Sequence, residues 1–199
     1  MSWLSVLLFS ISVTCDGFII GLSYGAKKVK ISFINNLIVG GISCLGTMGG
    51  MCLGQYVDEL IHTNITKYMG SALLLGFGLF MFYQALQKYF KEDDKVVIKN
   101  TVELAETFDM DNSKVIEIKE AIVLGVFLCL NNFGLGVGAA LAGLNILLTS
   151  ILCFILSVVF IELGIKVTYN YLSANIVKYS EFIASFIIIL LALYQLIIL

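Results

Sequence analysis

The sequence predicts an all-α membrane protein of six transmembrane helices, built as two inverted three-helix repeats. Composition, the spacing of apolar runs and a motif that recurs after 115 residues carry this prediction. Of the 199 residues, 59% are apolar and only 13% are charged. The mean hydropathy of +0.98 exceeds what a soluble core of this length can hide. Each crossing consumes about 20 residues, so the chain has room for one membrane domain with short connections.

Apolar runs at about 3–25, 33–55, 68–87 and 182–199 are each long enough to cross. From Ala121 to Ile161 there are 41 residues without a formal charge, which makes two crossings back to back with Gly143-Leu144-Asn145 as the hairpin. The first run has no basic n-region and contains Asp16, so it is expected to be a retained span rather than a cleaved signal. All twelve cations are lysines, and eleven fall on one side of the six-span arrangement, with Lys67 alone opposite. The positive-inside rule makes that side cytoplasmic, so a multi-pass protein of the bacterial cell membrane with both termini outside is expected. The division is 1–90 for the first three-helix repeat, 91–119 for a cytoplasmic loop with an EF-hand-like segment, and 120–199 for the second repeat.

The repeat rests on Asp16-Gly17-Phe18-Ile19-Ile20-Gly21 in span 1 and Asn131-Asn132-Phe133-Gly134-Leu135-Gly136 in span 4, where Phe18 meets Phe133 and Gly21 meets Gly136. An odd number of crossings per half forces opposite orientations, and inverted repeats place ligand sites near the midplane. Gly17, Gly21 and Gly25, and likewise Gly46, Gly50 and Gly54, recur every four residues, a spacing that lets helix backbones approach closely in lipid.

Asp16 is the leading candidate for function. A charged carboxylate at the bilayer centre costs several kcal/mol and persists only with a partner, a cavity or a proton. Ser12 and Ser23 lie on its helical face. Asn131 and Asn132 offer neutral carbonyl oxygens suited to a hard cation. All three residues also suit a structural reading as interhelical hydrogen-bonding groups. Glu162 is a further candidate, although it stands four residues before Lys166, the favourable order for a helical ion pair. His62 is alone in its loop and carries no assignment. The five cysteines sit in apolar runs and read as small buried packing residues.

The inner loop holds a second pattern. Asp109, Asp111, Ser113, Val115, Glu117 and Glu120 fall at positions 1, 3, 5, 7, 9 and 12 of an EF-hand loop, with Ile116 at position 8. Lys114 stands where the turn needs glycine, and its charge opposes a cation. The competing reading is an acidic N-terminal cap for span 4, which the helix dipole favours.

The segments 16–25, 131–140 and 103–125 together resemble the MntP/YtaF group of six-span bacterial membrane proteins, and the sporulation membrane protein YtaF branch is the closer match. The resemblance implies a divalent cation exporter, manganese being the group's metal. The group's spans 1 and 4 both carry an aspartate; here Asn131 replaces the second, and span 2 has no acid. The expected function is therefore divalent metal export with a midplane site between spans 1 and 4. The alternative is a non-transporting sporulation membrane protein that acts through assembly or partner binding.

No HExxH, Ser/Lys or paired-aspartate constellation points to an enzyme. No cofactor is expected beyond a divalent cation, Mn or Ca, as substrate or regulator. The expected partners are the lipid bilayer and a metal ion, with a homodimer left open. A net charge of −2 and the absence of arginine exclude nucleic acid.

Overall fold

The computed structural model describes residues 3–61, 65–91, 93–111, 113–170 and 174–198, so His62 lies outside the described residues. Its elements are α1 (Trp3–Lys27), β1 (Lys30–Ile31), α2 (Phe33–Ile61), α3 (Ile65–Lys91), α4 (Asp94–Phe108), β2 (Val115–Ile116), α5 (Ile118–Leu141), α6 (Ile146–Asn170) and α7 (Ala174–Ile198). All of these helices except α4 are long and apolar enough to cross a membrane, which gives the six spans. The α5–α6 hairpin falls where Gly143 predicts it, because glycine adopts φ 83° there without steric cost. Asn145 then caps α6 by accepting the Leu148 N–H on Oδ1 at 2.9 Å.

The spans form a closed ring in the order α1, α6, α2, α5, α3, α7, with α1 and α5 meeting across it. When α1, α2 and α3 exchange places with α5, α6 and α7 the set of pairings is preserved: α1–α6 becomes α2–α5, α1–α7 becomes α3–α5, and α2–α6 and α3–α7 map onto themselves. Small residues set the closest approaches. A Cβ at Gly21 on α1 would stand 2.3 Å from the Ile161 carbonyl oxygen of α6, and one at Gly50 on α2 would stand 2.1 Å from the Phe133 oxygen of α5. Lipid exerts no hydrophobic force between helices, so such contacts hold the bundle through dispersion.

The stretch expected to be a loop contains the α4 helix. Its buried positions, Val97, Thr101, Ala105 and Phe108, lie on one face. Val97 packs with Leu22 of α1 and Val177 of α7. Among the described residues, two ion pairs tie this helix to the bundle, Lys27–Glu106 and Lys178–Asp94, the latter at 2.9 Å. A third, Lys88–Glu181 at 2.6 Å, joins α3 to α7. The short strands β1 and β2 pair in parallel, with Lys30 opposite Val115 and Ile31 opposite Ile116. These bonds gather the lysine-rich connections onto one end of the bundle.

The cysteines correct one expectation. All five are free, but only Cys153 is buried and Cys52 is exposed. In a ring one helix thick, every span turns a face outward, and an apolar thiol is as acceptable there as in the core.

Candidate functional site

Asp16 sits near the middle of α1, half-buried, on a helix whose neighbours are otherwise apolar or small. Its Oδ1 accepts the Gly17 N–H at 2.7 Å. Its Oδ2 accepts the Nδ2–H of Asn131, from the middle of α5, at 2.8 Å. The two residues are 115 positions apart, the interval of the sequence motif, and the fold brings them into direct contact. A hydrogen bond to an ionised acceptor contributes about 1.5–3 kcal/mol. That offsets a large part of the ~2.5–3.5 kcal/mol that a mid-span aspartate costs on insertion scales.

The other expected members take different places. Asn132 is buried and donates to Ser43 Oγ of α2 at 2.8 Å, while its own Oδ1 is buried without a partner among the described residues. Ser43 had no signal in the sequence, because a lone serine in a span is common. Ser23 spends its hydroxyl on the Ile19 carbonyl at 3.0 Å. Ser12 is buried, and its hydroxyl, like those of Ser10 and Thr47, has no partner among the described residues. Glu162 is half exposed and pairs with Lys166 at 3.2 Å; no bond among the described residues joins it to Asp16. The geometry therefore gives Glu162 the helical ion pair, and the carboxylate–amide couple consists of Asp16 and Asn131.

The inner loop forms a second candidate. Asp109 closes α4, is 5% exposed, and accepts the Lys114 N–H on Oδ2 at 3.2 Å. Its Oδ1 is buried without a partner among the described residues. Asp111 Oδ1 accepts the Ser113 N–H at 2.9 Å, and that bond chiefly holds its carboxyl below the usual carboxylate range. Glu120, also 5% exposed, accepts N–H groups from Met110 at 2.7 Å and Glu117 at 2.9 Å. Glu117 answers as the N-cap of α5, completing a capping box. One carboxylate oxygen each from Asp109, Asp111 and Glu120 lies within 4.8 Å of the others. Lys114 holds the turn with φ 61°, the left-handed conformation that normally selects glycine. Ser113 Oγ donates to the Val115 carbonyl at 2.9 Å. The loop thus makes the cap and also brings together the acids at positions 1, 3 and 12, while Glu117 turns to the cap.

Comparison with known proteins then gives these positions a context. The chain is 29% identical, over 83% of its length and 86% of the relative's, to the Bacillus subtilis (strain 168) protein named "Probable sporulation protein YtaF". It is 31% identical over 42% of its length to a protein of Oceanobacillus iheyensis named "Putative manganese efflux pump MntP", covering 47% of that protein. A Bacillus mycoides protein of the same name is 32% identical over 40% of this chain and 43% of its own. No solved structure matches. The family model described as "Putative manganese efflux pump" matches residues 1–82 and 35–196. With matches across nearly the whole length, this multi-pass membrane chain belongs to that family.

Proposed function

We propose that the chain exports a divalent metal cation of the manganese class, and that Asp16 and Asn131 form the midplane site where α1 and α5 meet. The observation that carries this reading is the 2.8 Å bond between them, which joins the repeated motif's polar residues across the ring. Asn131 turns an amide N–H to the carboxylate. An arriving ion binds Asp16 and displaces the amide nitrogen, and a half-turn of the amide then offers its carbonyl oxygen. Manganese suits such oxygen ligands. One carboxylate and one neutral oxygen leave a dication under-compensated, which favours release over retention.

The same reading takes 1–90 and 120–199 as inverted repeats that rock about the site. The motif interval and the exchange-symmetric ring support it. So do the matched contacts: a Cβ at Gly164 would stand 2.4 Å from the Phe18 oxygen, as one at Gly50 meets the Phe133 oxygen. The lysine-rich end is taken as cytoplasmic, with both termini outside.

The test is manganese efflux by the purified protein in liposomes. Asp16→Asn keeps the side chain's shape but not its charge, so transport falls to background while the melting curve stays near wild type. Efflux by Asp16→Asn at the wild-type rate would refute the site. A second reading is favoured by the name of the Bacillus subtilis relative and by the amide at Asn131: a non-transporting sporulation protein that acts through assembly. Unchanged content of every divalent metal in a deletion strain would favour it.

A further inference from the structure

The inner loop carries chemistry that the midplane reading does not use. Three carboxylates from Asp109, Asp111 and Glu120 converge within 4.8 Å, although like charges repel and nothing about capping α5 requires Asp109 or Asp111. The cap needs only Glu117 and Glu120. Asp109 is the unusual member. It is 95% buried by its 5% exposure, one oxygen takes the Lys114 N–H, and the other is buried with no hydrogen-bond partner among the described residues. A buried carboxylate oxygen left unpartnered forfeits its water with no return, unless a cation occupies the space beside it. A cleft of about 80 Å³ lined by Lys27, Val29, Ala105, Glu106, Asp109 and Lys114 lies beside Asp109.

The donor set is all oxygen, which selects a hard cation. The spacing of the three acids is that of positions 1, 3 and 12 in a twelve-residue calcium loop. The backbone agrees with that loop at two further points. The residue at position 6 holds the left-handed turn, and the next two residues form a strand with Ile116 fully buried beneath it. That strand pairs with β1, directly after α1, and Glu120 lies in the first turn of α5.

We propose that Asp109, Asp111 and Glu120 are the carboxylate ligands of a calcium site at the lysine-rich end of the bundle, separate from the Asp16–Asn131 pair. The Lys114 ammonium and the bonds that Glu120 must exchange for the ion weaken it, so the affinity is on the order of 10⁻⁴ M, within the low range of such loops. The site does not depend on the transport reading.

The experiment is calorimetric titration of the full-length protein in detergent with calcium chloride in excess magnesium. Wild type is expected to take one calcium ion per chain. Asp109→Asn and Asp111→Asn should each weaken binding at least tenfold, and Asp111, being exposed, can be replaced without disturbing the fold. Lys114→Gly should tighten binding at least threefold. Calcium binding should persist in Asp16→Asn, so failure of the loop site and failure of the midplane site are distinguishable. No saturable heat in either wild type or Lys114→Gly would overturn the proposal. Wild-type affinity in Asp111→Asn or loss of binding in Asp16→Asn would do the same.

Discussion

The glycine contacts make a prediction whose sign depends on position alone. Gly50→Ala places a Cβ 2.1 Å from the Phe133 carbonyl oxygen, where ordinary contact begins at 3.4 Å, so α2 and α5 must separate by about 1.3 Å. The obstacle is helix backbone and cannot rotate away as a side chain would. A gap of 0.5–1 Å already forfeits a quarter to a half of each dispersion contact along an interface. The cost belongs at the upper end of the 1–3 kcal/mol seen for overpacking, about 3 kcal/mol. Gly41 and Gly76 have nothing within 4 Å of the same added atom, so alanine there gains up to about 1 kcal/mol in helix propensity. The contrast is about 4 kcal/mol, nearly a thousandfold in the folding equilibrium. Unfolding in mixed micelles with increasing dodecyl sulfate, followed by circular dichroism, measures it. Gly50→Ala as stable as Gly41→Ala would refute the close-packed α2–α5 interface. Because α5 carries Asn131, the same displacement should also reduce metal efflux.

Three further outcomes test other parts of the structure. A reporter fused after Leu199 should lie on the outer face and one inserted near Asp94 in the cytosol; the reverse pattern would overturn the orientation, and both on one side would refute the six spans. Asp94→Asn removes one ion-pair partner of the buried Lys178 ammonium; since Asp94 is itself largely exposed, the loss should be only about 1 kcal/mol, visible as faster proteolysis within α4 with the spans intact. Lys114→Gly should raise the calcium-free melting temperature, because it relieves a left-handed strain of about 1–2 kcal/mol, less the greater freedom that glycine has when unfolded; an unchanged or lower value would show the turn is unstrained.

The spans were legible because a bilayer imposes a length and a composition that few other environments demand. The Asp16–Asn131 contact was legible because the motif recurs at the interval that the fold later joins. α4 was hidden: its buried face is made of Val97, Thr101, Ala105 and Phe108 among charged residues, too small and too mixed to stand out from a solvated loop. The β1–β2 pair spans two residues on each side, and a pairing that short leaves no periodicity to read. The Glu162–Lys166 pair was legible because both residues lie one turn apart on the same helix. The partner of Asn132 was not, because sequence gives a residue's face only relative to its own helix, and meeting Ser43 of α2 depends on packing.

The electrostatics of the two candidate cation sites explain their different compositions and lead to the last prediction. At the lysine-rich end, Asp109 and Glu120 are 5% exposed, and their carboxylates, within 4.8 Å of one another, repel by about 3.5 kcal/mol at an effective dielectric of 20, a cost that the backbone N–H groups they accept offset in part. In mid-span, an aspartate replacing Asn131 would face Asp16 at roughly the present 2.8 Å, and at an effective dielectric of 20 the repulsion is about 6 kcal/mol. That is comparable to the whole stability of many domains, so an amide at this position keeps the ion-free bundle folded. Asn131→Asp should therefore depend on metal for its stability: with chelator its unfolding midpoint falls well below wild type, and manganese at a hundred times its dissociation constant restores about 2.7 kcal/mol by mass action. Wild type, with one carboxylate, should move far less under the same titration. If Asn131→Asp unfolds at the same point with chelator and with manganese, then residues 16 and 131 do not share an ion, and their bond is interhelical packing alone.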